Sequence, residues 1–164
     1  MTLIKSISGI RGTIGGKCGE ALTPLDVVKF TAAFAGMILE RSAGNRKVVI
    51  GRDARPSGKM VSDLVCATLN GMGIDVLDLG LSTTPTVEMA VPMEKAAGGI
   101  ILTASHNPVQ WNALKLLNEK GEFISGAEGE QLLARAEAED FHFVEVKQLG
   151  KYEQDDTYLD KHIE

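Results

Sequence analysis

Residues 103–108 read TASHNP and place a hydroxyl, an imidazole and an amide side by side. Ser105, His106 and Asn107 follow a bulky apolar run, GGIILT, which predicts a buried strand. Polar side chains at this point contribute little to packing, and Pro108 biases the backbone of Asn107 towards extended conformations. We therefore expect a stiff turn that presents Ser105 as a candidate nucleophile.

A serine nucleophile needs a positioned base and a group that stabilises the developing charge. No serine lies in a G-x-S-x-G segment, which argues against a hydrolase elbow. His106 is a poor base for Ser105 in an acyl-transfer triad, because neighbouring side chains on an extended turn diverge. Serine together with several cations favours phosphoryl transfer over acyl transfer. The candidate cations are Arg11, Arg52, Arg55 and Lys115.

The sequence contains neither the common nucleotide-binding motifs nor a spacing of residues typical of a metal site. A P-loop ending at Lys17 would need glycine where Arg11 stands and a hydroxyl where Cys18 stands. The three histidines show no zinc spacing, and Cys18 and Cys66 are far apart. If a divalent cation is required, we expect most of its ligands to lie outside this chain.

Apolar patterning predicts helices and strands that alternate along the chain. Thr23-Pro24 and the capping box Ser125-x-x-Glu128 mark helix starts, and residues 60–72 have helical periodicity. Thr84 and Pro85 open another helix, which Pro92 should end or kink near Val91. The order predicts an α/β fold, a three-layer sandwich with a mixed, mostly parallel sheet. Ligands of such sheets bind beyond the carboxyl ends of the strands. The loops expected there are GRDARPSG, GLSTTPT and TASHNP.

Composition excludes several functional classes. The 164 residues carry 17 Lys and Arg against 22 Asp and Glu, a formal net charge of −5, which argues against nucleic-acid binding. No apolar run approaches the roughly 20 residues of a membrane span. Residues 1–8 lack a leader pattern and the cysteines form no evident pair, so we expect a reduced, cytoplasmic location.

The sequence changes in character after Asp140. Residues 141–152, FHFVEVKQLGKY, are compatible with a strand or a linker, and residues 155–164 with the first turns of a helix. A short helix without a cap is a poor natural ending. We expect one domain over residues 1–140, and over 141–164 a linker and the start of a truncated second domain.

Five segments together resemble the alpha-D-phosphohexomutases, the family of phosphoglucomutase, phosphomannomutase and phosphoglucosamine mutase. TASHNP resembles the phosphoserine loop of that family. The other four segments are GIRG at 9–12, GRDARPS at 51–57, TP at 84–85 and NALK at 112–115. The resemblance covers about residues 4–140, in the order and spacing of the family. Ala113 stands where glycine is usual.

The resemblance implies the first domain of a phosphosugar mutase that interconverts hexose 1-phosphate and hexose 6-phosphate. Ser105 would carry the phosphoryl group, and a bisphosphorylated sugar would be the intermediate. Mg²⁺ would bind the phosphoserine oxygen, with its other ligands in a later domain. Ser105, Lys115, Arg11 and His106 would be catalytic. The residues that contact substrate or phosphate would be Arg11, Thr103, Asn107, Lys115, Arg52 and Arg55.

Two other functions remain open from the sequence. The chain could be a self-sufficient phosphotransferase that uses Ser105, or a non-catalytic module that binds a phosphosugar. As a mutase fragment it is expected to be inactive, because it lacks the family's metal loop, sugar-selecting segment and distal-phosphate site. Its partners would be a hexose phosphate, the sugar bisphosphate and the remaining domains. The sugar could be a glucose, mannose or glucosamine phosphate.

Overall fold

The computed structural model describes residues 1–6, 9–42 and 44–158. These residues form seven strands, four α-helices and one short 3₁₀-helix. In chain order the elements are β1 (Ile4–Lys5), β2 (Gly9–Thr13), α1 (Pro24–Arg41), β3 (Lys47–Arg52), α2 (Gly58–Gly71), β4 (Asp75–Leu81), α3 (Thr84–Met93), β5 (Gly98–Leu102), β6 (Trp111–Leu117), α4 (Gly126–Ala138), the 3₁₀-helix (Val146–Gln148) and β7 (Tyr152–Gln154).

The strands form one mixed sheet in the order β1-β2-β6-β5-β3-β4-β7. β3 is parallel to β4 and β5, and β4 is parallel to β7. The pairs β1–β2, β2–β6 and β5–β6 are antiparallel. The mixed α/β sheet is confirmed, but within the described residues only half of its pairings are parallel. The reason is that β6 returns directly from β5 as a hairpin, which needs no crossover helix.

Helices cover both faces of the sheet and make the expected three layers. On one face, Phe34 and Ile38 of α1 pack in a core with α2, α4 and the β3 side chains of Val48 and Ile50. On the other face, α3 packs in a second core that contains Val49. Alternate residues of β3 therefore point into opposite cores, as the strand pleat requires.

Local signals account for the helix starts. Thr23 caps α1 and forms a capping box with Asp26, and Ser125 caps α4 in the same way. α3 is capped by Thr83, one residue before the expected Thr84, because the Thr83 hydroxyl accepts a hydrogen bond from a helical N–H. This helix continues past Pro92 to Met93. No helix of the described ranges is long and apolar enough to cross a membrane.

Residues 150–158, here called the C-terminal segment, return to this same sheet. β7 pairs with β4 at the sheet edge, and the Tyr158 ring, 2% exposed, lies in the second core. The Tyr158 hydroxyl donates to Glu94, and the Tyr152 hydroxyl donates to Asp78. A domain boundary at residue 140 stays a prediction. The helix expected over 155–164 falls largely outside the described residues, which stop at 158.

Candidate active site

Ser105 lies in the loop between β5 and β6, residues 103–110, here called the Ser105 loop. The Lys115 Nζ atom donates a 2.8 Å hydrogen bond to Ser105 Oγ. The antiparallel register places Lys115 opposite Ile101, near the end of β5, so the hairpin carries the ammonium group back beneath its own loop. An ammonium at this distance stabilises negative charge on Oγ and can exchange a proton with it.

The backbone at Ser105 is in the left-handed region, with φ of 51°. This conformation costs a non-glycine residue about 1–2 kcal/mol and is typical of functional sites. The expected extended turn is therefore wrong at Ser105. The reason is tertiary: the Ser105 N–H donates to Thr103 Oγ1 at 3.2 Å, and its carbonyl accepts from Arg55 at 2.8 Å.

Arg55 is the residue that joins the β3–α2 loop to the Ser105 loop. Its side chain is 12% exposed, and its Nε donates to Asp53 Oδ2 at 3.2 Å. Its two Nη atoms donate to the backbone carbonyls of Ser105 (2.8 Å), Asn107 (2.8 Å), Pro108 (2.7 Å) and Trp111 (3.1 Å). These five bonds match the five N–H donors of a guanidinium.

Two further contacts hold the β3–α2 loop against the β5–β6 hairpin. The Thr103 hydroxyl donates to Asp53 Oδ2 at 2.7 Å. Asn112, fully buried in β6, donates from Nδ2 to Ser57 Oγ at 2.9 Å. Sequence reasoning missed the Asn112–Ser57 contact. An amide in an otherwise apolar strand was the available signal, since buried polar side chains need partners.

A cavity of about 260 Å³ lies beside this site, and Lys115, which donates to Ser105 Oγ, is part of its lining. Arg11 of β2 and Ala113 of β6 are cross-strand partners on its wall. None of the residues that line it is acidic, so its two cations create a positive potential suited to phosphate. Its lining residues are Ser6, Gly9, Ile10, Arg11, Ala113 and Lys115.

The unusual alanine at 113 fits the strand without strain. Ala113 lies within β6, is buried, and is not among the non-glycine residues with positive φ. Glycine matters at Gly9 instead, directly opposite Lys115. A Cβ there would lie 2.3 Å from the Leu114 carbonyl oxygen, so only glycine allows β2 to approach β6 this closely.

The remaining predicted residues lie at or near the same sheet edge. His106 is exposed, and no hydrogen bond joins its ring to any residue that the structure describes. Arg52, at the end of β3, donates to the backbone carbonyl of Asp53 at 3.3 Å. The N–H of Asn107 donates to the Ala104 carbonyl, which closes the turn. The binding roles assigned to these residues and to Arg55 stay predictions.

The site does not contain a complete magnesium centre. Within the described ranges no three His, Cys, Asp or Glu side chains cluster as metal ligands. Mg²⁺ requires octahedral oxygen coordination, usually from one or two carboxylates together with phosphate and water. Asp53, the carboxylate nearest the loop, already accepts from Thr103 and Arg55. The residues present therefore do not fit the ion unaided, and Mg²⁺ stays a prediction.

The seven-stranded sheet between two helical layers and the Ser105 loop, with Lys115 and Arg55 bonded to it, define a three-layer α/β domain with a candidate phosphate site at one edge. Residues 3–143 match the family model described as phosphoglucomutase/phosphomannomutase, alpha/beta/alpha domain I. The chain belongs to the phosphoglucomutase/phosphomannomutase family and contains its first domain.

Similar proteins of known name agree with this assignment. A Methanosphaera stadtmanae protein named probable phosphoglucosamine mutase is 37% identical over 98% of this chain and 35% of its own length. A phosphoglucomutase/phosphomannomutase of Thermococcus kodakarensis is 36% identical over 88% of this chain and 32% of its own. A crystal structure of a phosphoglucomutase/phosphomannomutase family protein from Burkholderia thailandensis superposes with a TM-score of 0.80 at 27% identity, covering 98% of this chain and 34% of that one. The chain thus spans about a third of the length of these relatives.

Proposed function

We propose that this chain is the phosphoserine-bearing first domain of a mutase that interconverts hexose 1-phosphate and hexose 6-phosphate. The observation that carries the proposal is the 2.8 Å hydrogen bond from Lys115 to Ser105 Oγ. It places a charged donor on a hydroxyl beside a cavity that Arg11 also lines. This arrangement suits a serine that accepts and returns a phosphoryl group.

In the forward transfer, the Oγ–P bond of phosphorylated Ser105 breaks as a bond forms between phosphorus and a hydroxyl oxygen of the sugar phosphate. Lys115 supplies the proton that the departing Oγ takes up, and the sugar hydroxyl releases its proton to solvent. The product is a sugar bisphosphate. In the return transfer, the bond between the other phosphorus and its sugar oxygen breaks as a bond forms between that phosphorus and Oγ. Ser105 gives its proton to the neutral Lys115 amine, and the departing sugar oxygen takes a proton from solvent.

The cations around Ser105 have separate tasks in this proposal. Arg11, on the cavity wall, pairs with phosphate oxygens, for which the planar guanidinium fork is well suited. His106 is exposed next to Ser105, and we assign it and Asn107 to substrate contact.

The complete reaction needs more than this chain. The relatives are about three times longer, and no complete metal site forms among the described residues. We therefore expect no net turnover by this chain alone, and we expect Mg²⁺ ligands and sugar contacts from further domains. The substrate class is a glucose, mannose or glucosamine phosphate. We assign the activity to the cytoplasm.

The test is a mutase assay on the full-length protein that contains this chain, with mass spectrometry of Ser105. Ser105→Ala should lose activity and the phosphoryl group with an unchanged circular-dichroism spectrum. Ser42→Ala is the matched control, since Ser42 caps α1 through its backbone only and should keep both. Undiminished activity of Ser105→Ala would favour a non-catalytic phosphosugar-binding module. Phosphate-ester turnover by this chain alone would favour a self-sufficient phosphotransferase.

A further inference from the structure

We infer that Arg55 is a positioning residue that holds the Ser105 loop in its reactive shape, and that it is not a ligand of the substrate phosphate. The inference departs from the binding role that the sequence resemblance implies for Arg55. The inference deepens the proposed function and rests on it for its kinetic test. Its structural test needs no substrate.

The donor capacity of Arg55 is already full. A guanidinium has five N–H donors, and Arg55 directs one to Asp53 and four to backbone carbonyls of residues 105–111. A phosphate at this guanidinium would have to displace the Asp53 carboxylate or two loop carbonyls. Each displaced carbonyl would lose a hydrogen bond to a charged donor, and such bonds are stronger than those between neutral groups.

The charge of Arg55 is also matched locally. Asp53 lies 3.2 Å from Arg55 Nε and neutralises much of the field that a phosphate would experience. Arg11 differs, because no ion pair or hydrogen bond of its side chain is found among the described residues and it lines the cationic cavity. Phosphate recognition and loop support are therefore assigned to different cations.

A closed ring of hydrogen bonds explains why Arg55 controls Ser105 in particular. The Ser105 N–H donates to Thr103, whose hydroxyl donates to Asp53. Asp53 accepts from Arg55, which donates to the Ser105 carbonyl. Both peptide groups of Ser105 are thus held, and the left-handed φ of 51° is maintained from both sides. Without the ring, the residue would relax towards ordinary backbone conformations and move Oγ away from Lys115.

Lysine cannot replace arginine in this geometry. A lysine ammonium is one nitrogen with three donors, whereas the planar fork of Arg55 reaches four carbonyls between Ser105 and Trp111. The variant Arg55→Lys therefore keeps the positive charge but cannot bond all four carbonyls at once. It separates a positioning role from an electrostatic one, and its small change in size favours a folded product.

The first experiment is hydrogen–deuterium exchange of the ligand-free protein. Arg55→Lys and Arg55→Ala should speed exchange of the amides in 103–111 by roughly 10- to 100-fold, the equivalent of one charge-assisted hydrogen bond. Arg135→Ala is the matched control, since Arg135 also pairs with a carboxylate, Glu40, but on the α1–α4 face. It should leave the Ser105 loop unchanged. Normal exchange at 103–111 in Arg55→Lys would overturn the inference, whatever the protein's activity.

The second experiment compares kinetic constants in the full-length mutase. A positioning role predicts that Arg55→Lys lowers kcat on the order of 10²-fold with little change in KM, because the misplaced Oγ reacts slowly. A raised KM with unchanged kcat would instead mark Arg55 as a phosphate ligand and reject the inference. If Ser105 proves unphosphorylated in the wild type, the proposed function fails, and the exchange experiment still decides the role of Arg55.

Discussion

The Ser105 loop and the C-terminal segment both lie outside the central strands of the sheet, and different kinds of side chain hold them in place. The loop leaves Ser105 and His106 exposed and is fixed through its backbone carbonyls by Arg55. The C-terminal segment pairs with β4 through three exposed strand residues, and one buried ring, that of Tyr158, anchors it in the second core. Holding a loop by its backbone leaves its side chains for ligands, whereas anchoring by a ring stabilises the domain. Damage to the two regions should therefore have different consequences.

The largest effect is expected at Lys115. Under the proposed mutase function, Lys115→Ala in the full-length protein should lower kcat by about 10²–10⁴-fold and change KM less, because the hydrogen-bond donor to Ser105 Oγ is removed. Stability to denaturant should stay near that of the wild type. Lys59→Ala, which removes an exposed ammonium paired with Asp63 on α2, should change neither constant. An effect of Lys115→Ala on KM alone would exclude the proton-transfer role.

At Tyr158 we expect a loss of stability, in contrast to the loss of turnover expected at Lys115. Tyr158→Ala should lower the free energy of unfolding by about 3–5 kcal/mol, since the ring is 2% exposed in the core beneath α3. Tyr158→Phe keeps the ring and removes only the hydroxyl that donates to Glu94, so its cost should be about 1 kcal/mol. Urea titration measures both. Equal stability of Tyr158→Ala and the wild type would show that the C-terminal segment does not anchor the domain.

A third variant affects both stability and the cavity that Arg11 and Lys115 line. Gly9→Ala should cost about 1–3 kcal/mol of unfolding free energy, because the new Cβ would meet the Leu114 carbonyl oxygen at 2.3 Å. Separating β2 from β6 also moves Arg11 away from Lys115, so binding of inorganic phosphate should weaken. Gly126→Ala is the control, since a Cβ there meets nothing within 4 Å. Identical thermal midpoints for the two variants would contradict the close strand approach.

The smallest effect concerns cysteine chemistry and alkaline pH. Burial, reinforced by the nearby negative charge of Asp78, raises the pKa of Cys66 to about 12. Native protein should therefore be alkylated at the exposed Cys18 and spared at Cys66, whereas both should react in denaturant. The raised pKa also makes the stability of the fold depend on pH. The Cys66 thiol of the unfolded state loses its proton at a lower pH than the thiol of the folded state. The contribution of Cys66 to the free energy of unfolding is therefore fully present below pH about 8.5 and declines as the pH rises towards 12. Rapid native labelling of Cys66 would contradict its burial.

Sequence patterns predicted the helices well because their signals are local. Thr23 with Pro24, and Ser125 with Glu128, specify helix starts within four residues of chain. β1 and β7 escaped prediction, since strands of two and three residues carry no readable period and depend on pairing with distant strands. The conformation of Ser105 was not predicted for the same reason, because it depends on the Arg55 guanidinium, 50 positions earlier in the chain.

The four carbonyls that Arg55 holds also bear on the thermodynamics of ligand binding. Ordering a flexible loop on binding costs about 1–2 kcal/mol of backbone entropy per residue. In this domain the bonds from Arg55 fix the carbonyls of Ser105 and Asn107 within the folded chain. Ordering of the Ser105 loop is thus part of folding, and under the proposed function the affinity for a phosphorylated sugar would not be reduced by loop ordering.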